Sequence, residues 1–370
     1  MNQGTPLKTP PRKAPTPPAP PTLAQKITKI MPILMVCTLL CLIISIVLLC
    51  VALAVSPSEP PATEPMDDDV PSNEEEAETK APAQTVKSDA VVTPMRSSFV
   101  VKDSSKYAEI SGIESKYAVL IDPDSLEAIA GRNPDARICP ASMTKVMTLL
   151  VACENLGTLK EKVPMSVNAV NYQLEHDGSG LDWKGGEKVS VEDLLYLVFL
   201  RSDTVASISL AEYIAGSEAA FVDMMNAKVK ALGLKNTKFV NCTGLYFESD
   251  PYYSTCRDMA VIMAHALDNS LAKRIMTLTG DWYLPSSAPV EKVKATWLTD
   301  RFGGKATLDT VTIQGAKTGW ETEPGACLVS FAQSNGGGKT YVMVIVGGNG
   351  LSAKSSTTDV KAIYKEYAKE

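Results

Sequence analysis

Histidine is almost absent: His176 and His265 are the only two in 370 residues. A Ser-His-Asp triad is therefore poorly supplied, and a serine enzyme built from this chain needs a base of another kind. No Cys-x-x-Cys pair and no Cys/His cluster occurs, so neither a zinc site nor any other metal or cofactor is expected. Acids are missing from the first twenty-nine residues, and charge of either sign is missing from Ile30 to Val55. A basic patch is also lacking, which removes nucleic acid from the expected partners. No internal repeat is present, which argues against a solenoid or propeller.

These absences divide the chain. Residues 1–29 hold eight prolines and five basic residues, too polar and proline-broken to bury a core, and read as a disordered cytoplasmic tail. The twenty-six uncharged residues 30–55 are long enough as a helix to cross a hydrocarbon layer of roughly 30 Å, which predicts a transmembrane helix. Ala52-Leu53-Ala54 also fits a signal-peptidase site, and cleavage after Ala54 would leave a secreted protein. The leading tail is long, however, and the apolar run exceeds the about 7–15 residues of a signal peptide, so a retained single-pass anchor is favoured. Basic residues precede the span, while Ser56 to Asp89 carries ten acids against two lysines. That asymmetry places the N-terminus in the cytoplasm and everything after Val55 outside. Residues 56–96 form an acidic, proline-rich linker, and residues 97–370 are left for a folded domain.

Within that domain, Tyr117 to Asn133 reads as a hairpin of two apolar strands around an Asp-Pro-Asp-Ser turn. Helical periodicity follows at Ser142–Glu154, Val191–Leu200, Val205–Ile214, Ala219–Ala231 and Thr255–Leu267. Three strand patterns, VTIQGAKTG, GACLVSFAQ and KTYVMVIVGG, and a last helix from about Thr357 to Ala368 complete the chain. Strands at both ends with helices between predict an α+β fold: an antiparallel sheet with flanking helices and a helical subdomain. The domain holds five cysteines, an odd number, of which Cys242 and Cys256 flank one loop and are candidates for a bridge.

Three short motifs carry the chemistry. Ser142 and Lys145 in PASMTK are three residues apart, on one face of a helix whose first turn offers free N–H groups to a developing oxyanion. Ser202-Asp203-Thr204 joins two helices, and Lys317-Thr318-Gly319 with Trp320 lies on a predicted strand. Ser-x-x-K alone is common. In this order with the other two, it is the signature of penicillin-binding proteins and serine β-lactamases.

From about Tyr117 onward the sequence resembles the serine-type D-alanyl-D-alanine carboxypeptidases among the low-molecular-mass penicillin-binding proteins. The likeness extends to GEKVSVEDLL, FVNCTGL and YSTCRDMA at Gly186, Phe239 and Tyr253. The resemblance implies a β-lactamase/penicillin-binding transpeptidase-like fold. It also implies a peptidoglycan stem peptide ending in D-Ala-D-Ala as substrate and β-lactam antibiotics as inhibitors. Ser142 would be the nucleophile, Lys145 its base and Ser202 the proton relay. The N–H groups of Ser142 and Trp320 would receive the oxyanion, while Lys317, Thr318 and Gly319 would hold the substrate's strand and carboxylate. Trp183 and Trp320 fall near segments that line the cleft in relatives.

One position departs from the pattern: Thr204 stands where the family carries asparagine, replacing a donor and an acceptor by one short hydroxyl. If Thr204 still faces the substrate amide, a loss of roughly 1–3 kcal/mol follows. A non-catalytic wall-binding protein has this departure as its sole argument. A class A β-lactamase is disfavoured because no Glu-x-x-x-Asn occurs between Asp203 and Arg301. Only about fifty residues follow Lys317, so no separate C-terminal β domain is expected. Glu154, His176 and His265 read as surface or structural, and Cys139 as packing.

Overall fold

A computed structural model describes residues 106–247, 252–284, 291–322, 325–348 and 353–369. The expected tail, membrane span and linker, and the domain start near Ser97, lie outside these residues. Along the chain come β1 (Ala108–Glu109), β2 (Tyr117–Ile121), β3 (Ala128–Arg132), α1 (Lys145–Asn155), β4 (Lys162–Pro164), α2 (Val167–Glu175), β5 (Lys188–Ser190) and α3 (Val191–Tyr196). Then follow α4 (Thr204–Ala215), α5 (Glu218–Ala231), α6 (Cys256–Asp268), α7 (Ser270–Met276), β6 (Asp281–Leu284), β7 (Glu291–Lys294), β8 (Val311–Glu321), β9 (Gly325–Ser334), β10 (Thr340–Gly348) and α8 (Ala353–Tyr367).

The six-stranded sheet runs β1-β3-β2-β10-β9-β8, so both ends of the domain's chain meet at β2 and β10, and β8 lies at one edge. All neighbours are antiparallel except the short β1, which runs parallel to β3. The expected hairpin is present. Asp122 Oδ1 accepts from the N–H groups of Asp124 and Ser125, and Leu126 takes a left-handed conformation to close the turn. Helix α6 packs against β2, β10 and α1. It is buried along nearly its whole length, with Arg257, Asp258 and His265 on its one polar side. Its N-cap is Thr255, and Ser166, Ser190, Asp203, Ser217 and Asn269 cap α2, α3, α4, α5 and α7 by accepting backbone N–H bonds. No single helix among the described residues is long and apolar enough to cross a membrane.

Two of the expected helices are altered, and β1, α2, α7 and the paired strands β4–β5 and β6–β7 stand where the periodicity gives no element. The helix expected from Ser142 begins instead as a 3-10 turn, Ala141–Thr144, before α1. Tertiary crowding tightens it: Ala141 has φ +48°, and a Cβ on Gly244 would stand only 2.0 Å from the Ala141 carbonyl oxygen. The helix expected to run unbroken from Val191 to Leu200 changes to a π-helical turn at Leu197–Arg201. It ends on Ser202 in the left-handed region, φ +59°. Turns of this kind and strained non-glycine residues gather at functional sites.

Candidate active site

The three motifs converge on one cleft. Ser142, partly exposed, sits in the 3-10 turn, and Lys145 opens α1 with its side chain fully buried beneath it. Lys145 Nζ lies 3.4 Å from Ser142 Oγ and donates to the Thr243 carbonyl at 2.6 Å. On the facing side, Lys317 Nζ donates to Ser202 Oγ at 3.0 Å and to the Thr318 carbonyl at 2.8 Å. β8 presses on the nucleophile's turn: a Cβ at Gly319 would lie 3.1 Å from the Ser142 nitrogen. Trp320, the next residue on this edge strand, is 44 % exposed. Ser142, Lys145, Ser202, Lys317, Thr318 and Gly319 are thus brought together, and Trp320 follows on the same strand.

Two buried amines in one site cannot both hold a proton at low cost. Burial pulls the Lys145 amine down to about 8 from its ordinary 10.5, against the raising influence of Asp203, Glu321 and Glu218. Burial also lowers Lys317, well below the ordinary range, reinforced by the positive charges of Lys145 and Arg301. The arrangement supplies a hydroxyl beside an amine that is readily neutral. Across the cleft it holds a second amine whose charge an arriving carboxylate would stabilise.

Thr204 does not join this set at the cleft surface. It opens α4 fully buried, and its Oγ1 has no hydrogen-bond partner among the described residues. The hydroxyl faces the 178–183 loop: a Cβ added at Gly178 would lie 2.8 Å from it. Trp183, partly buried, donates from its indole to the Asp203 carboxylate.

Three features carry no catalytic signature in the sequence. Thr243, whose carbonyl orients Lys145, is fixed by Asn241, whose Oδ1 accepts from Thr243 N, Thr243 Oγ1 and Gly244 N. The Cys242 carbonyl accepts from Thr148 Oγ1 and its N–H donates to Glu218, so the loop is pinned from two helices. Tyr252 closes the far side by donating to the Gly244 carbonyl. The FVNCTGL stretch marked this loop as a point of resemblance, although nothing in its composition says that a backbone carbonyl is the working group.

All five cysteines of the domain are free, so the candidate bridge between Cys242 and Cys256 is not formed. Cys242 lies buried against Thr148 and Glu218, whereas Cys256 opens α6 on the side of Asp135. Cys139 reaches Tyr252 Oη at 3.4 Å, in keeping with a packing role. His176 lies in an aromatic cluster with Tyr172 and Phe247, at ring distances of 4.6 and 4.8 Å.

The sequence model of peptidase family S11, described as D-alanyl-D-alanine carboxypeptidase, matches residues 102–350. Among curated relatives, the chain is 34% identical over 252 residues to D-alanyl-D-alanine carboxypeptidase DacF of Bacillus subtilis, covering 68% of this chain and 61% of that protein. It is 32% identical over 222 residues to a D-alanyl-D-alanine endopeptidase of Pseudomonas aeruginosa, covering 59% of this chain and 66% of that protein. The matches therefore span less than two thirds of either relative's length. Among solved structures, penicillin binding protein 5 from Haemophilus influenzae superposes with a TM-score of 0.60 at 28% identity, over 70% of this chain and 72% of that one. With the family model covering the whole cleft and all three motifs in place, the chain belongs to the D-alanyl-D-alanine carboxypeptidase family of serine peptidases.

Proposed function

We propose that the protein is a membrane-anchored D-alanyl-D-alanine carboxypeptidase that removes the terminal D-alanine of peptidoglycan stem peptides through an acyl-enzyme on Ser142. The observation that carries this reading is the buried Lys145 amine, brought down to about 8, standing 3.4 Å from Ser142 Oγ and facing the Lys317–Ser202 pair. Neutral Lys145 takes the Ser142 proton as Oγ attacks the penultimate D-alanine carbonyl. The N–H groups of Ser142 and Trp320 receive the oxyanion, and Lys317 with Thr318 holds the terminal carboxylate. Collapse breaks the peptide bond, and a proton passed through Ser202 leaves with the D-alanine amine. Water then hydrolyses the ester and restores Ser142.

A β-lactam follows the first half of this route. Its ring amide acylates Ser142, but the departing amine stays tethered and obstructs the water. Edge strand β8 offers an extended peptide a row of backbone groups to pair with. The anchor rests on the sequence of residues 30–55 and the charge asymmetry around it, which place the domain on the outer face of the cell membrane. The test is D-alanine release from an N-acylated tripeptide ending in D-Ala-D-Ala by the full chain in detergent. Release that stops in Ser142→Ala supports the reading, and equal release by both proteins refutes it.

A further inference from the structure

The middle residue of the second motif has no part in the scheme above, yet it is the most heavily bonded carboxylate of the cleft. Asp203 is fully buried, and its two oxygens accept three hydrogen bonds. Oδ1 takes the Ala206 N–H at 2.8 Å and so caps α4. Oδ2 takes the Leu181 N–H and the Trp183 indole N–H, both at 2.9 Å. Burial raises the pKa of this carboxyl, while all three partners are donors and Lys145 is a cation, both of which favour the ionised form. Two more bonds join the same segments: Thr204 N–H to the Ser179 carbonyl at 2.8 Å, and Ser179 Oγ to the Ser202 carbonyl at 2.6 Å. The loop is glycine-bearing where it meets the motif. A Cβ at Gly180, φ +150°, would stand 2.8 Å from Asp203 Oδ2, and one at Gly178 would stand 2.8 Å from Thr204 Oγ1.

Resting on the proposed acyl transfer, we infer that Asp203 is a positioning residue: it clasps the 178–183 loop to the Ser202 turn, holds Ser202 beside Lys317, and gives the buried Lys145 a counter-charge. Ser202 sits in a strained left-handed conformation that persists only where its surroundings fix it, and the clasp lies immediately beside it. The closure also explains Thr204. The loop occupies the space in front of that position, so the motif's third side chain packs against Gly178 instead of facing the cleft. The groups that act on Lys145 are Asp203, Glu218, Glu321 and Cys242, with Lys317 across the site. Among these Asp203 has the carboxylate tied directly to Ser202 through the chain.

The experiment measures acylation of the full chain by a fluorescent penicillin from pH 6 to 10, for wild type, Asp203→Asn and Trp183→Phe. Asp203→Asn turns an NH₂ toward at least one of these donors whichever way the amide lies, so acylation is expected to fall at least about tenfold. Its acidic limb should also move to lower pH, because an ammonium on Lys145 loses a favourable negative neighbour. Trp183→Phe keeps the charge and removes one bond, so the rate should fall about threefold with the limb unmoved. A limb unmoved in Asp203→Asn, or a rate equal to wild type, overturns the inference. If Asp203→Asn does not fold, Trp183→Phe decides: a slower rate supports the clasp and an unchanged rate overturns it. Failure of the wild type itself to label would instead contradict the acyl-transfer reading.

Discussion

The two walls of the cleft are held by different means. The Lys317 wall is a strand, Val311 to Glu321, paired with β9 on either side of a bulge at Gln314, so its backbone path depends little on any one side chain. The helical wall, carrying Lys145 and supporting Ser202, is held by side chains reaching across segments well separated in sequence: Lys145 to Thr243, Thr148 to Cys242, Asp203 to Leu181 and Trp183. The strand wall is therefore robust to exchange and sensitive to added bulk, whereas the helical wall is sensitive to the loss of single groups.

The sharpest break in that comparison is Lys145→Ala, on the helical wall. It should lower acylation by a factor of about 10² to 10⁴, the usual worth of a positioned base, since neither histidine lies in any of the three motifs. Stopped-flow acylation with a retained thermal transition would check it, and a near-normal rate would dismiss Lys145 as the base. On the strand wall the matching experiment adds atoms. Gly319→Val puts a branched side chain against the Ser142 nitrogen, where a Cβ already reaches 3.1 Å, and a shift of about 1 Å there should slow acylation roughly 10²-fold. Thr318→Val, with the same backbone and little change of volume, removes only the hydroxyl that helps to hold the carboxylate and should cost about tenfold. Equal losses in the two would contradict the distinction between bulk and chemistry.

A smaller effect comes from pH. The neutral amine of Lys145 is the base, and its folded value of about 8 lies below the free value of 10.5, so activity is gained as pH rises through about 8. Well below that point the rate should fall about tenfold for each pH unit. A flat profile between pH 6 and 9 would mean that another group accepts the proton. The smallest change is expected for Thr204→Asn. Because Thr204 is packed against Gly178, the larger amide should overpack the clasp by about 1–3 kcal/mol, lower the melting temperature by several degrees and leave acylation no faster. A faster variant would show that position 204 still reaches the substrate.

What the sequence disclosed follows the same division. The hairpin, the three C-terminal strands and most helices were legible because burial imposes a period of two or of 3.6 on their residues. The motif residues were legible because each chemistry needs a particular side chain at a fixed spacing. The 3-10 turn at Ser142 and the π turn before Ser202 were not: the first is crowded by Gly244, distant in the chain, and neither leaves a period in the sequence. The linear pattern gives Asp203 no role, because its partners Leu181 and Trp183 stand about twenty residues away in a loop without periodicity. Thr204 was read as facing the substrate for the same reason, and the facing glycine that occupies its space is invisible in a linear pattern. Cys242 and Cys256 likewise flank a loop in sequence, but their side chains belong to different contacts.

The central claim, that Ser142 is the nucleophile of a penicillin-sensitive acyl transfer, is tested most directly by intact mass and peptide mapping after exposure of the full chain to benzylpenicillin. The account predicts one adduct per chain, carried on Ser142 and absent from Ser142→Ala. No adduct, or an adduct on any other residue, would contradict it.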